Sequence, residues 1–266
     1  MCTRTYTLIF APLIVNPFRS MFSFLLPERK RAIKAAGSLR TLILKMMDDY
    51  TRNKASSTPG SIIQLVMDSD AFSPDNKMAQ LLELLVAGHD TTSFSIAWIL
   101  LSLARHPEEQ TVLRTSLASL SPNEYSTSVQ LKAVVKEGMR LYPVAAAGSI
   151  RETGRDITTN RNEIIPKGSI CFLPFILQFR NTDIYVDPDK FKPNRWENPT
   201  KEMVDAFNPF SLGKQNCLGQ SLAQAETFAI VARIVTKFEL SVESEGTVDF
   251  FLTLKPVGAI LRARKI

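Results

Sequence analysis

The reading of this chain turns on Phe210-Ser-Leu-Gly-Lys-Gln-Asn-Cys-Leu-Gly219. Its one cysteine, Cys217, lies between Gly213 and Gly219 and directly precedes an apolar-periodic run, residues 218–238, that predicts a helix. Glycines let a backbone turn tightly and approach a large flat ligand closely. The open N–H groups and positive dipole end of a helix N-terminus stabilise a thiolate. A thiolate held in this way suits an axial position on haem iron. Taken alone, the segment equally suits a small buried hydrophobe placed before a helix.

Outward from this segment the texture of the chain changes. Upstream, Ile33, Ala36, Leu39, Leu42, Ile43 and Met46 recur at helical spacing and predict a helix over 27–50. Asn53-Lys-Ala-Ser-Ser-Thr-Pro-Gly60 reads as a loop and 61–67 as a short helix. Ser73-Pro-Asp-Asn76 opens a long helix to about residue 105, with Ser73 or Asp75 as its cap. Two more helices are expected, over 107–120 and 127–141. After Tyr142-Pro143, short strands are expected at 149–152, 163–165 and 169–172. Pro188, Pro193, Pro199 and Pro209 mark a long irregular stretch, which inside a compact domain is usually functional. The last helix and further short strands close the chain. This order predicts a mainly α protein with small β-sheets. It is read as a single domain over 1–266 in three portions: a loop and helix (1–60), the long central helix and its followers (61–142), and the sheets, cysteine loop and last helix (143–266).

Composition narrows the function classes. The 266 residues are 45% hydrophobic and 22% charged, which excludes disorder and fibrous repeats. Lys plus Arg (32) exceed Asp plus Glu (26), a balance of +6 that is too diffuse to indicate nucleic acid. Cys2, Cys171 and Cys217 make no CxxC pair, and two histidines exclude a His-rich metal site. The apolar run at 8–15 is broken by Pro12, and the uncharged run at 91–104 is bounded by Asp90 and Arg105. Neither reaches the roughly 20 residues of a spanning helix, so no transmembrane helix is expected.

Three other segments carry chemistry. In Ala87-Gly-His-Asp-Thr-Thr92, Gly88 weakens a helix by roughly 1 kcal/mol. Asp90 is costly in an apolar helix unless paired or hydrated. Together with Thr91 it would open a local groove and move protons to a bound ligand, or serve only as a surface acid beside a back-bonding threonine. Glu137-Gly-Met-Arg140 places two opposite charges on one helix face. By itself that is usually a surface ion pair of little worth. Phe191-Lys-Pro-Asn-Arg-Trp196 supplies Arg195, either a third member of a buried network or a loop arginine packed on Trp196.

In this order, the four segments resemble the cytochrome P450 family of haem-thiolate monooxygenases. Ala87–Thr91 resembles the family's (Ala/Gly)-Gly-x-(Asp/Glu)-Thr stretch, Glu137 and Arg140 its Glu-x-x-Arg, and 191–196 its aromatic-x-x-Pro-x-Arg region. Phe210, Gly213, Cys217 and Gly219 match its cysteine signature. Gln215 stands where the signature carries an arginine that meets a haem propionate. Lys214 is a substitute cation, and Arg151 matches a second propionate-facing position. Family members are much longer, so the chain resembles their C-terminal portion, without counterparts of the N-terminal helices and sheet.

The resemblance implies haem b as cofactor, with Cys217 as the iron ligand and Phe210, Gly213, Gly219, Arg151 and Lys214 around it. It implies Asp90 and Thr91 as the residues that deliver protons to dioxygen, and Glu137, Arg140 and Arg195 as a structural network. The implied reaction is insertion of one oxygen atom from O2 into an apolar organic substrate. Electrons would come from a separate reductase or ferredoxin, docking near Lys201, Lys214, Arg233 and Lys237. The alternative is a haem-binding or inactive fragment without turnover. Ala145, Ala146, Ala147 and Gly148 are expected on the substrate pocket, where small residues leave room. The resemblance implies that the loop and helix over 1–60 cover this pocket. The aromatic segment 18–26, followed by Glu28-Arg-Lys-Arg31, resembles a loop that dips into a membrane surface, such as that of the endoplasmic reticulum or another organelle. The same segment equally suits a pocket-covering core.

Overall fold

The structure is a computed structural model that describes residues 27–56 and 58–266, with 27–29 as backbone only. The aromatic segment 18–26 and the side chains of Glu28 and Arg29 therefore lie outside the described residues. The chain forms two compact units, Met1–Asp90 and Thr91–Ile266, and the boundary falls inside one long helix.

In the first unit, α1 (Pro27–Arg52) and α2 (Ile62–Met67) lead into α3 (Pro74–Arg105). Ile43, Val66 and Leu81, one from each helix, form its core. Asp68 ties the turn after α2 back to α1. Tyr50 Oη donates to Asp68 Oδ2 at 3.0 Å, and Lys54 Nζ to Oδ1 at 2.7 Å. The Lys54 ammonium, followed by the Tyr50 hydroxyl, holds this carboxyl below its ordinary range. Ser73 caps α3 by accepting from Asn76 N–H at 3.3 Å.

The second unit begins with the remainder of α3, where Ile96, Trp98, Ile99, Leu101 and Leu103 are buried. α4 (Pro107–Leu117) starts on a proline, which the first turn of a helix tolerates. α5 (Val129–Leu141) is capped by Ser128, whose hydroxyl accepts from Leu131 N–H at 3.1 Å. The main core joins Ile99 and Leu103 of α3, Leu113 and Leu117 of α4, and Leu131, Val134 and Val135 of α5 to Val231 and Val235 of a late helix. Gly138 is where α5 meets α3 most closely. A Cβ there would lie 2.5 Å from Ile99 Cγ1.

The β-structure consists of two-stranded antiparallel sheets. β1 (Ser149–Glu152), β2 (Ile157–Thr158), β3 (Ile164–Ile165) and β4 (Ile170–Leu173) pair as β1·β4 and β2·β3. α6 (Phe175–Gln178) and α7 (Lys201–Ala206) follow, then α8 (Gln220–Val235). β5 (Phe238–Ser244), β6 (Thr247–Phe250), β7 (Leu254–Val257) and β8 (Ile260–Lys265) pair as β5·β8 and β6·β7. Two polar side chains fasten these hairpins to the helices. Gln110 exchanges a pair of hydrogen bonds with the Leu240 backbone, at 3.1 and 2.8 Å. Trp98 donates to Leu254 O at 3.0 Å while stacked on Tyr142 with 4.1 Å between ring centroids.

The architecture is the expected one, helical with small sheets, and three details differ. α6 was not expected, and α7 interrupts the stretch expected to be irregular because it fits between Pro199 and Pro209. β2 was not expected, since two residues give no periodicity to read. α3 is long and apolar enough to cross a membrane, by length and composition alone. The expectation of no such helix came from judging 91–104 in isolation, although the apolar pattern runs on upstream through Leu81, Leu82, Leu84 and Leu85. From Thr92 onward much of α3 is buried in protein.

Candidate cofactor site at the cysteine loop

The loop preceding α8 is closed by one main-chain bond, from Cys217 N–H to Phe210 O at 2.9 Å. A single 3₁₀ turn, Gly213–Gln215, lies within it. Phe210 is half-buried against the main core and anchors the loop to it. Gly213 has φ +79° and open space where a Cβ would be, so its backbone conformation, not crowding, calls for glycine. Ser211 also has a left-handed φ, 62°, which is uncommon for a residue with a side chain. Its hydroxyl supplies a compensating contact, accepting from Arg151 Nη2 of β1 at 2.8 Å.

Cys217 is an exposed free thiol. Gly219 occupies the N-cap position of α8, and a Cβ there would approach nothing nearer than Cys217 Sγ at 4.0 Å. The sulfur therefore sits beside a helix start with no side chain overhanging it. Leu218 and Leu212 are 87% and 63% exposed, and Lys214 and Gln215 are exposed as well. A soft donor, apolar side chains and two cations, Lys214 and the Arg151 guanidinium that reaches this loop, form the set that haem requires: an axial ligand, an apolar face and partners for its carboxylates. The residues present fit the group. The reading of Cys217 as a buried core residue does not hold, because the thiol faces outward.

Glu137, Arg140 and Arg195 meet in a buried network. Arg140 grips Glu137 in a fork, Nη2 to Oε1 at 2.8 Å and Nε to Oε2 at 2.9 Å, with both side chains fully buried. Arg195 Nε donates to Oε1 at 2.9 Å. The carboxylate also accepts from the Lys192 backbone N–H at 3.0 Å and from Trp196 Nε1 at 2.9 Å. Two guanidiniums against one carboxylate leave an excess of one positive charge. Main-chain carbonyls absorb it: Phe179, Pro188 and Lys190 accept from Arg140, and Val186 and Asp187 from Arg195. This is far from a surface ion pair, since Glu137 and Arg140 are fully buried and Arg195 nearly so.

α3 runs as unbroken α-helix through Ala87–Thr92, so Gly88 opens no bulge there. Gly88 and His89 are exposed. Asp90 is half-buried, with Oδ1 at 3.0 Å from His89 Nδ1, and Thr91 follows it, half-buried. The alanine turn divides. Ala146 belongs to a core cluster with Trp98, Leu101 and Leu254 and is no pocket wall, whereas Ala147 is exposed. Lys201, Lys214, Arg233 and Lys237 are all exposed, with Lys201 paired to Asp205.

Sequence reading missed Ser211, Lys192 and the indole N–H of Trp196. Ser211 occupies a backbone conformation usually signalled by glycine, and Lys192 acts through its amide, which leaves no trace in the sequence. Trp196 was legible only as a packing residue.

A fold of helices with small sheets, an exposed thiol at a helix start and a buried Glu–Arg–Arg network define a haem-thiolate protein class. The chain belongs to the cytochrome P450 family, whose model matches residues 3–265. Members of that family bind haem. Among its relatives is human cytochrome P450 4F12, 32% identical over 215 residues, covering 75% of this chain and 41% of that protein. Another is human 25-hydroxyvitamin D-1 alpha hydroxylase, mitochondrial, 40% identical over 172 residues, covering 60% of this chain and 33% of that protein. A crystal structure of a cytochrome P450 (CYP102L1) shares the fold with a TM-score of 0.77 at 24% identity, covering 91% of this chain and 59% of that one. The chain thus spans less than half the length of these two human relatives.

Proposed function

We propose that this chain carries the haem-ligating and proton-handling portion of a monooxygenase that inserts one atom of O2 into an apolar substrate, using electrons from a separate reductase or ferredoxin. The observation that carries the reading is the exposed Cys217 thiol, held at the start of α8 by a closed loop that Arg151 reaches. Haem bound through a thiolate supplies reductive cleavage of the O–O bond. The chain's own residues do the rest. Cys217 would hold the iron of that group through its sulfur. Arg151 and Lys214 would hold the carboxylates of the cofactor. Asp90 takes and releases a proton at Oδ1, beside the exposed His89 imidazole, and Thr91 hands it on. Lys214, Arg233 and Lys237 offer exposed positive charge to an acidic electron donor. Peripheral membrane association is part of the same proposal, through the aromatic segment 18–26.

The test is the absorption spectrum of the haem-supplemented chain, reduced with dithionite under carbon monoxide, beside Cys217→Ala. A strongly red-shifted Soret band that the substitution abolishes supports the reading. A band at the position of imidazole-ligated haem, or no uptake of haem, overturns it.

A second reading is that the chain binds haem without turnover. Ile150 and Phe172 favour it. They are cross-strand partners on β1·β4, 63% and 58% exposed, and make an uncovered apolar pair. Substrate oxidation by the haem-loaded chain with a reductase separates the two readings.

A further inference from the structure

Trp196 stands between the buried charge network and the cysteine loop. Its indole N–H donates to Glu137 Oε2 at 2.9 Å, and Arg140 Nε is the other donor to that oxygen. Its ring packs on Phe207 at 4.7 Å between centroids, and Phe207 packs in turn on Phe179 at 5.3 Å. The Phe179 carbonyl accepts from Arg140 at 2.8 Å, so the path closes on itself. Phe207 ends α7 and leads through Asn208 and Pro209 to Phe210, whose carbonyl accepts the Cys217 amide proton. Both Phe207 and Phe210 pack against the main core. The aromatic rings at the root of the loop are thus oriented by a side chain whose own angle is fixed by a hydrogen bond to a fully buried carboxylate.

We infer that Trp196 is a positioning residue for the Cys217 loop, acting through its N–H to Glu137 and its ring contact with Phe207. The inference rests on the haem-thiolate reading for its consequence and on this chain's packing for its mechanism. Without the N–H, Glu137 Oε2 loses one of its two donors and the indole loses the bond that sets its tilt. The Phe207 ring then has no fixed neighbour on that side. The slack passes to Phe210 and to the single hydrogen bond that closes the loop. Residues distant from this path, such as the β5·β8 pair, lose nothing.

Hydrogen exchange read by mass spectrometry on the whole 266-residue chain without haem tests this directly. One variant is Trp196→Phe. The other places benzothienylalanine at position 196, with sulfur in place of the N–H and nearly the same ring size. In both, residues 207–219 are expected to exchange about tenfold faster, as loss of one buried hydrogen bond implies, while 238–244 and 260–265 exchange as in the parent. Parental exchange at 207–219 overturns the inference. So does faster exchange everywhere, or a benzothienylalanine variant that fails to fold, because either assigns Trp196 to general stability. A second readout uses the haem-loaded, dithionite-reduced chain under carbon monoxide. At equal haem content, the variants are expected to show a smaller share of the thiolate-type band than the parent. If the parent itself lacks that band, the haem-thiolate reading fails, while the exchange result still decides the role of Trp196.

Discussion

Glu137 is the residue on which most depends. Its carboxylate is the one negative charge placed against two buried guanidiniums, and nothing else in the network can replace it. Glu137→Gln keeps the shape and removes the charge, leaving Arg140 and Arg195 uncompensated. A loss of about 3–5 kcal/mol is expected, read as a lower urea midpoint at unchanged slope. Tyr185 reports on the same region through pH. It is fully buried, donates to Met203 O at 3.2 Å and lies under the Arg140 guanidinium at 5.2 Å. Burial pushes its hydroxyl up to about 12, only partly opposed by Arg140. A pKa raised in the folded state means that this stability is complete below the ordinary value of 10.0 and is lost as the pH rises through about 12. Denaturation curves at rising alkaline pH are expected to show that decline, and Tyr185→Phe to flatten it. At this scale the sequence was only partly legible. The i,i+3 spacing of Glu137 and Arg140 was visible, but spacing does not tell a buried pair from a surface one. That distinction came from Trp196, the Lys192 amide and the carbonyls of 179–190, which converge only after folding.

At the scale of elements, the close crossing of α3 and α5 depends on one missing side chain. A Cβ on Gly138 would meet Ile99 at Cγ1, near the root of a branched side chain, where there is little freedom to yield. Gly138→Ala is therefore expected to destabilise the second unit by about 1–3 kcal/mol despite its better helix propensity, measured as a lower melting temperature of the chain. An unchanged or higher melting temperature would mean that helix propensity outweighs the contact. Long elements were read well because their apolar positions repeat: α1, α3 and α5 begin and end within a few residues of expectation. Among the short ones α2, β1, β3 and β4 were read as well, whereas α6, α7 and β2 were not. α6 and α7 complete fewer than two turns, and β2 is held to β3 by two register pairs, so tertiary packing fixes them more than local pattern does. The cysteine loop was legible as a motif, whereas its attachment to β1 through Ser211 was not, because a serine gives no sign that its φ will be positive.

At the scale of the molecule, the described surface is unusually apolar in places. Leu218 and Leu212 flank the thiol, and Ile150 and Phe172 crown the β1·β4 hairpin. A fluorescent dye that reports apolar surface is expected to bind the haem-free chain strongly and to be displaced as haem is added. Undiminished fluorescence at full haem uptake would show that Leu212 and Leu218 are not the surface the cofactor covers.

The buried network also bears on the order in which this chain is made. Glu137 and Arg140 leave the ribosome well before Arg195 and Trp196, since Trp196 lies 59 positions downstream of the carboxylate it serves. At ordinary synthesis rates that is a wait of roughly 3 to 12 s. Through that interval α5 holds a charged pair whose acceptors and donors have not yet been synthesised, so the pair must stay hydrated. The closing of this core is therefore timed by translation of the segment from 179 to 196, and a nascent chain stalled before it has no low-energy place to put Arg140.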